Sequence, residues 1–96
     1  MRPSVALKKF RDQIRSIALA HNVTNVRVFG SVLKKTDSED SDLDLLVEPT
    51  KNTSLMDIGA IRFELKELLG IDVDVVTPNS LPITFRMQVV NESQAI

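Results

Sequence analysis

Two short runs constrain this chain more than any other feature: Asp42-Leu43-Asp44-Leu45-Leu46-Val47 and Ile71-Asp72-Val73-Asp74-Val75-Val76. Each alternates acidic and apolar residues, the mark of a strand with one buried face. In the first run Asp42, Asp44 and Leu46 point one way, and Leu43, Leu45 and Val47 the other. In the second, Asp72, Asp74 and Val76 oppose Ile71, Val73 and Val75. Helices packed on the apolar sets drive both acidic sets to the same side of one sheet.

The segments around these runs supply the helices. Pro3 suits a first helical turn, and Leu7, Phe10, Ile14, Ile17 and Ala18 follow at helical steps. Val26 to Phe29 reads as a short strand that Gly30 breaks. Ser54 caps the next helix, with Asp57 three residues on. Leu55, Ile58, Ile61, Leu65, Leu68 and Leu69 give its buried face, and Gly70 stops it. Ser80 and Pro82 open a last helix carrying Ile83, Phe85, Val89 and Val90.

The order is α-β-β-α-β-α. A helical crossover joins the second and third strands, so they run parallel and the crossover is right-handed. The first and second are open to antiparallel pairing. The expected fold is α/β in the α+β sense: a small mixed β-sheet with helices packed on one face. The other face stays partly wet.

Composition excludes several classes. The 96 residues predict one domain, residues 1–96. Lys and Arg total 12 against 13 Asp and Glu, for a net charge of −1. Binding nucleic acid by bulk charge needs a clearly basic chain, so no direct nucleic-acid partner is expected. There is no cysteine, hence no disulfide and no thiolate metal site. No apolar run approaches the roughly 20 residues of a membrane span, and a cytoplasmic location is the default.

Carboxylates from two neighbouring strands repel unless one takes a proton or a cation sits among them. A hard divalent cation, Mg²⁺ or Mn²⁺, answers that with oxygen ligands. An Asp-x-Asp pair alone often does no more than face water. Here Gly30-Ser31, at the end of a strand expected nearby, adds a second element. Glycine lets backbone approach a phosphate, turn N–H groups face an anion, and the Ser31 hydroxyl adds one hydrogen bond. His21, the lone histidine, fits a helix C-terminus. Asp37, Glu39 and Asp40 read as a mobile acidic loop without a ligand role. Phe85, Met87, Val89 and Val90 exceed what one amphipathic face needs, which predicts burial against another chain, whether a second copy or a different protein.

Phe29-Gly30-Ser31, ten intervening residues and Asp42-Leu43-Asp44 resemble the nucleotidyltransferase superfamily that includes the DNA polymerase β palm. With Leu68-Leu69-Gly70-Ile71-Asp72-Val73-Asp74-Val75-Val76-Thr77-Pro78, the chain is similar to the minimal nucleotidyltransferases, antitoxins of HEPN toxin modules. The resemblance implies that Gly30 and Ser31 hold a triphosphate, with Lys34 where relatives carry arginine. It implies that Asp42, Asp44 and Asp74 bind two Mg²⁺ ions, with Asp74 helping to deprotonate the acceptor. Asp72 has no role in it and reads as solvent-facing or supporting. It implies transfer of AMP from ATP to a tyrosine of a HEPN-domain toxin. The alternative is a non-catalytic antitoxin that neutralises its partner by complex formation. Lys35 stands where relatives carry glycine, which predicts a reshaped turn.

Overall fold

The computed structural model describes residues 1–96. Helix α1 (Pro3–Leu19) buries Ala6, Leu7, Ile14 and Ala18, with Phe10 and Ile17 packed partly against the core. Its dihedrals leave the helical range at Phe10 (φ −116°, ψ 23°), where the helix kinks. Arg2 precedes it and provides no side-chain cap. That task falls to a distant residue. The Asp37 carboxylate accepts a hydrogen bond from the Ser4 N–H at 2.9 Å, and the Arg2 guanidinium donates to the Asp37 carbonyl at 2.6 Å. Asp37 is only 4 % exposed, so it is not part of a mobile acidic loop as expected. An anion at a helix N-terminus satisfies a free amide and meets the positive end of the dipole.

Strand β1 (Val23–Phe29) pairs antiparallel with β2 (Leu43–Pro49), with a register shift between Val23 and Asn25. Helix α2 (Leu55–Leu69) then crosses to β3 (Val73–Val76), which lies parallel to β2. The α2 start is as read: the Ser54 hydroxyl accepts from the Asp57 N–H at 3.3 Å, and the Asp57 carboxylate accepts from the Ser54 N–H at 2.9 Å. Its end is too, with Gly70 in the left-handed region at φ +68°. Its buried face is narrower than expected. Ile61, Leu65 and Leu69 are buried, whereas Leu55 is 90 % exposed and Leu68 also reaches solvent. Leu55 opens the first turn, whose contact with the core is made by Ile58 instead.

After a 3₁₀ turn (Pro78–Ser80) come α3 (Ile83–Glu92) and a two-residue strand, β4 (Gln94–Ala95). Strand β4 pairs antiparallel with β1, opposite Arg27 and Val28, giving the sheet order β3-β2-β1-β4. No side-chain pattern announces β4, because both its residues are exposed. The core lies under one face: Val26 and Val28 of β1, Leu43, Leu45 and Val47 of β2, and Val73 and Val75 of β3 meet Ile14, Ile61 and Leu65. Helix α3 buries none of its residues. Its C-terminal end borders the opposite, acidic face, where Arg27 donates to the Ser93 carbonyl at 3.4 Å. No helix is long and apolar enough to cross a membrane.

Candidate active site

Strand β2 is the middle of the site because it has neighbours on both sides. Asp44 is the register partner of Phe29 on β1 and of Asp74 on β3. The chain leaves β1 through Gly30, whose φ of +75° suits glycine. A Cβ on Gly30 would lie 3.1 Å from the Asp44 Cγ and would run into its Oδ2. Gly30 is therefore required twice, by its backbone angle and by the carboxylate against it. The structure thus brings Gly30, Asp44 and Asp74 together, as the sequence reading expects.

Asp42 immediately precedes β2 and is exposed, as is Asp74; Asp44 is half-buried. The Asp44 carboxyl is pushed up to about 6, first by burial and then by the charges of Asp74 and Asp42. The four ion pairs of the fold involve Glu39, Asp12, Glu64 and Asp72, so none of the three site carboxylates has a cationic partner. Asp72 points elsewhere, to the Lys66 ammonium at 3.0 Å, and is solvent-facing.

Three unpaired carboxylates, one of them half-buried, offer hard oxygen ligands and uncompensated negative charge, which fit Mg²⁺ or Mn²⁺. They do not close into a ready three-ligand cage. Mg²⁺ commonly takes one or two carboxylates and completes its shell with water and substrate phosphates.

Beyond Gly30 the backbone makes one helix-like turn. The Lys34 N–H donates to the Gly30 carbonyl at 3.1 Å, and the Thr36 N–H to the Ser31 carbonyl at 2.9 Å. The amides of Ser31, Val32 and Leu33 have no protein acceptor, and neither does the Ser31 hydroxyl. Lys34 is exposed and, with Phe29 and Gly30, lines a cavity of about 220 Å³ closed on its far side by Phe85 and Gln88 of α3. Lys35 adopts φ +59°, the left-handed conformation a glycine would take. Lys35 therefore carries backbone strain that a glycine there would not.

Arg27 escaped the sequence reading, although the alternation Val26-Arg27-Val28 carries the signal. With both valines in the core, Arg27 must share the acidic face.

Comparison with known proteins agrees with this geometry. Residues 12–96 match the family described as Polymerase beta, Nucleotidyltransferase. A Methanocaldococcus jannaschii protein, provisionally named a protein adenylyltransferase, is 36 % identical over 87 residues, covering 91 % of this chain and 94 % of its own. A solved structure described provisionally as a minimal nucleotidyltransferase has a TM-score of 0.86 at 36 % identity, over 97 % of this chain and 95 % of that one. A toxin–antitoxin crystal structure with AMP-PNP shares the fold, with a TM-score of 0.74 at 22 % identity over 88 % of this chain and 69 % of that one. The match along residues 12–96, together with the shared architecture, places this chain in the polymerase β nucleotidyltransferase family, as a nucleotidyltransferase.

Proposed function

We propose that residues 1–96 act as one domain that transfers AMP from ATP to a tyrosine hydroxyl of a HEPN toxin in the cytoplasm, and so silences it. The observation that carries this reading is the Asp44–Asp74 register pair with Gly30 backbone against the Asp44 carboxyl. The name of the Methanocaldococcus jannaschii relative and the AMP-PNP in the toxin–antitoxin structure support the choice of nucleotide and of partner.

Each residue then has a task. Gly30 lets the turn pass tightly over the Asp44 carboxyl, and the free amides after it, with the Ser31 hydroxyl, donate to phosphate oxygens. Lys34 adds a positive charge beside them. Asp42, Asp44 and Asp74 would hold Mg²⁺, which when bound neutralises phosphate charge and lowers the pKa of the acceptor hydroxyl. Asp74 takes the tyrosine proton. The tyrosine oxygen bonds to the α-phosphorus, the bridging α–β P–O bond breaks, and pyrophosphate leaves with that electron pair. Little else is asked of the protein, because positioning and charge neutralisation do most of the work in phosphoryl transfer. Strands hold the carboxylates more rigidly than loops would.

A second reading, neutralisation by covering the toxin, draws on side chains that the fold leaves bare. Met56 on α2 is 85 % exposed, and Ile83 on α3 is 80 % exposed. One experiment separates the two. The chain is mixed with its HEPN partner, ATP and Mg²⁺, and the partner is weighed by mass spectrometry. A gain of AMP that Asp44→Asn abolishes is the expected result. A tight complex with no gain in mass, indifferent to Asp44→Asn, supports the covering mode and overturns the transfer.

A further inference from the structure

On the acidic side of the sheet, past Asp44, lies a second cavity of about 350 Å³. Its floor is Leu46 and Glu48 of β2 with Arg27 and Asn25 of β1, and its far wall is Val90 and Asn91 of α3. Register explains the placement. Arg27 is opposite Leu46, and Asn25 opposite Glu48, so the cavity continues the same face one and two alternations beyond the Phe29–Asp44 pair. We propose that this cavity is the nucleoside subsite, and that Asn25 and Asn91 select adenine there. The proposal rests on the nucleotide reading of the site above.

The lining of this cavity holds unused hydrogen-bonding capacity. The carboxamides of Asn25 and Asn91 make no hydrogen bond within the protein, and Glu48 makes neither a side-chain hydrogen bond nor an ion pair. Arg27 spends one donor on the long contact to Ser93 and pairs with no carboxylate. Leu46 and Val90 are the apolar part of a lining that is otherwise mostly polar, so several unpartnered polar groups converge on one cavity, as they do in small-molecule sites.

Shape and chemistry then choose a base. Val90 in the far wall and the small exposed part of Leu46 in the floor offer apolar surface to a flat ring. The planar guanidinium of Arg27 offers a stacking surface. A carboxamide pairs in two-point fashion with the N6 donor and N7 acceptor of adenine. Guanine places an acceptor where adenine has that donor, so the same contact favours ATP over GTP.

Position chooses the nucleotide over the acceptor. The phosphate turn leaves from the end of β1, and Arg27 lies three residues back on that strand, roughly 10 Å away at the strand rise. A triphosphate laid from the Gly30 turn across Asp44 carries its ribose toward this cavity. An acceptor tyrosine arrives attached to a folded partner. The open flank beyond Asp74, on edge strand β3, suits it better.

The test is calorimetric titration of ATP, GTP and inorganic tripolyphosphate, with Ca²⁺ as the metal, into wild type, Asn91→Ala and Asn25→Ala. Asn91 is exposed, so its truncation leaves the fold intact. The expected result is tighter binding of ATP than of GTP, a loss of about tenfold in ATP affinity in each variant, and unchanged tripolyphosphate binding. Equal ATP and GTP affinities, or variants that bind ATP like wild type, overturn the nucleoside subsite and leave the phosphate site standing. A variant with wild-type ATP affinity but a raised KM for the acceptor also overturns it, by showing that the cavity receives the partner. Failure of wild type to bind either tripolyphosphate or ATP overturns the nucleotide reading itself, and this proposal with it.

Discussion

The two faces of β2 share one strand and little else. On one side Leu43, Leu45 and Val47 are fully buried under α1 and α2. On the other Asp44 is half-buried, unpaired and pushed up to about 6. Strand alternation thus separates what holds the domain together from what it does, within neighbouring residues. If that separation is real, a substitution on one face should move stability alone and a substitution on the other should move activity alone. The packed face provides the largest test. Ile61→Ala removes a fully buried side chain from the α2–sheet contact and should cost about 3–4 kcal/mol in urea denaturation. The fraction that stays folded should retain wild-type transfer activity. Lost activity in fully folded protein would break the comparison.

The acidic face should behave in the opposite way. Asp44→Asn should lower AMP transfer by on the order of a hundredfold or more, since it removes several kcal/mol of charge stabilisation. It should also stabilise the metal-free protein at neutral pH. The folded-state value of about 6 lies above the ordinary 3.8, so the folded form binds the proton more tightly. The resulting stability is fully present below 3.8 and is lost as pH rises through 6. With half the group open to water, the loss is about 1–2 kcal/mol. Wild type without metal should therefore weaken between pH 4 and 7, as read by urea midpoints, and Asp44→Asn should not. A variant less stable than wild type at pH 7.5 would show that Asp44 has a structural role.

How well each region was legible follows the same division. Period-two alternation placed Asp44 and Asp74 on one face because the apolar partners had nowhere else to go. The capping box at Ser54 and the stop at Gly70 were legible because each is a local bargain between side chain and backbone. Strand β4 was not, since its pairing with Arg27 and Val28 leaves no trace in side chains. Nor was the burial of Asp37, whose partner Ser4 is 33 residues away. Leu55 and Leu68 repeat at helical spacing yet reach solvent, because helical period does not say how wide a face the neighbour covers. The adenine-facing role inferred for Asn25 and Asn91 joins segments 66 residues apart, and only tertiary structure brings them to one cavity.

Asp37 sharpens the comparison from the other direction, as a carboxylate that serves the fold. Its bond from the Ser4 N–H holds its pKa below the usual carboxylate value despite burial. Its contribution is therefore present above 3.8 and is lost as pH falls through the lowered value, the reverse of Asp44. Asp37→Ala should cost about 1–2 kcal/mol, the loss of a helix cap, and should fray the start of α1. Amide hydrogen exchange at Ser4 to Leu7 would report it. Transfer activity should not change, since Asp37 touches no residue of the site.

The smallest effect comes from the turn that joins the two regimes. Gly30 and Lys35 both have positive φ, at +75° and +59°, but for different reasons. At Gly30 a side chain has no room, because the Asp44 carboxyl occupies it. At Lys35 the side chain is exposed, and only the backbone objects. A left-handed non-glycine residue costs roughly 1–2 kcal/mol, and a glycine gives back about 0.4–1 kcal/mol through its freer unfolded chain. Lys35→Gly should therefore stabilise the domain by about 0.5–1 kcal/mol, read as a rise in the urea midpoint at constant slope. Because the turn already has the shape that glycine favours, tripolyphosphate affinity should stay within about twofold of wild type if Lys34 supplies the charge. A larger drop would mean that Lys35 holds phosphate too, and that its strained backbone is kept for the ammonium it carries.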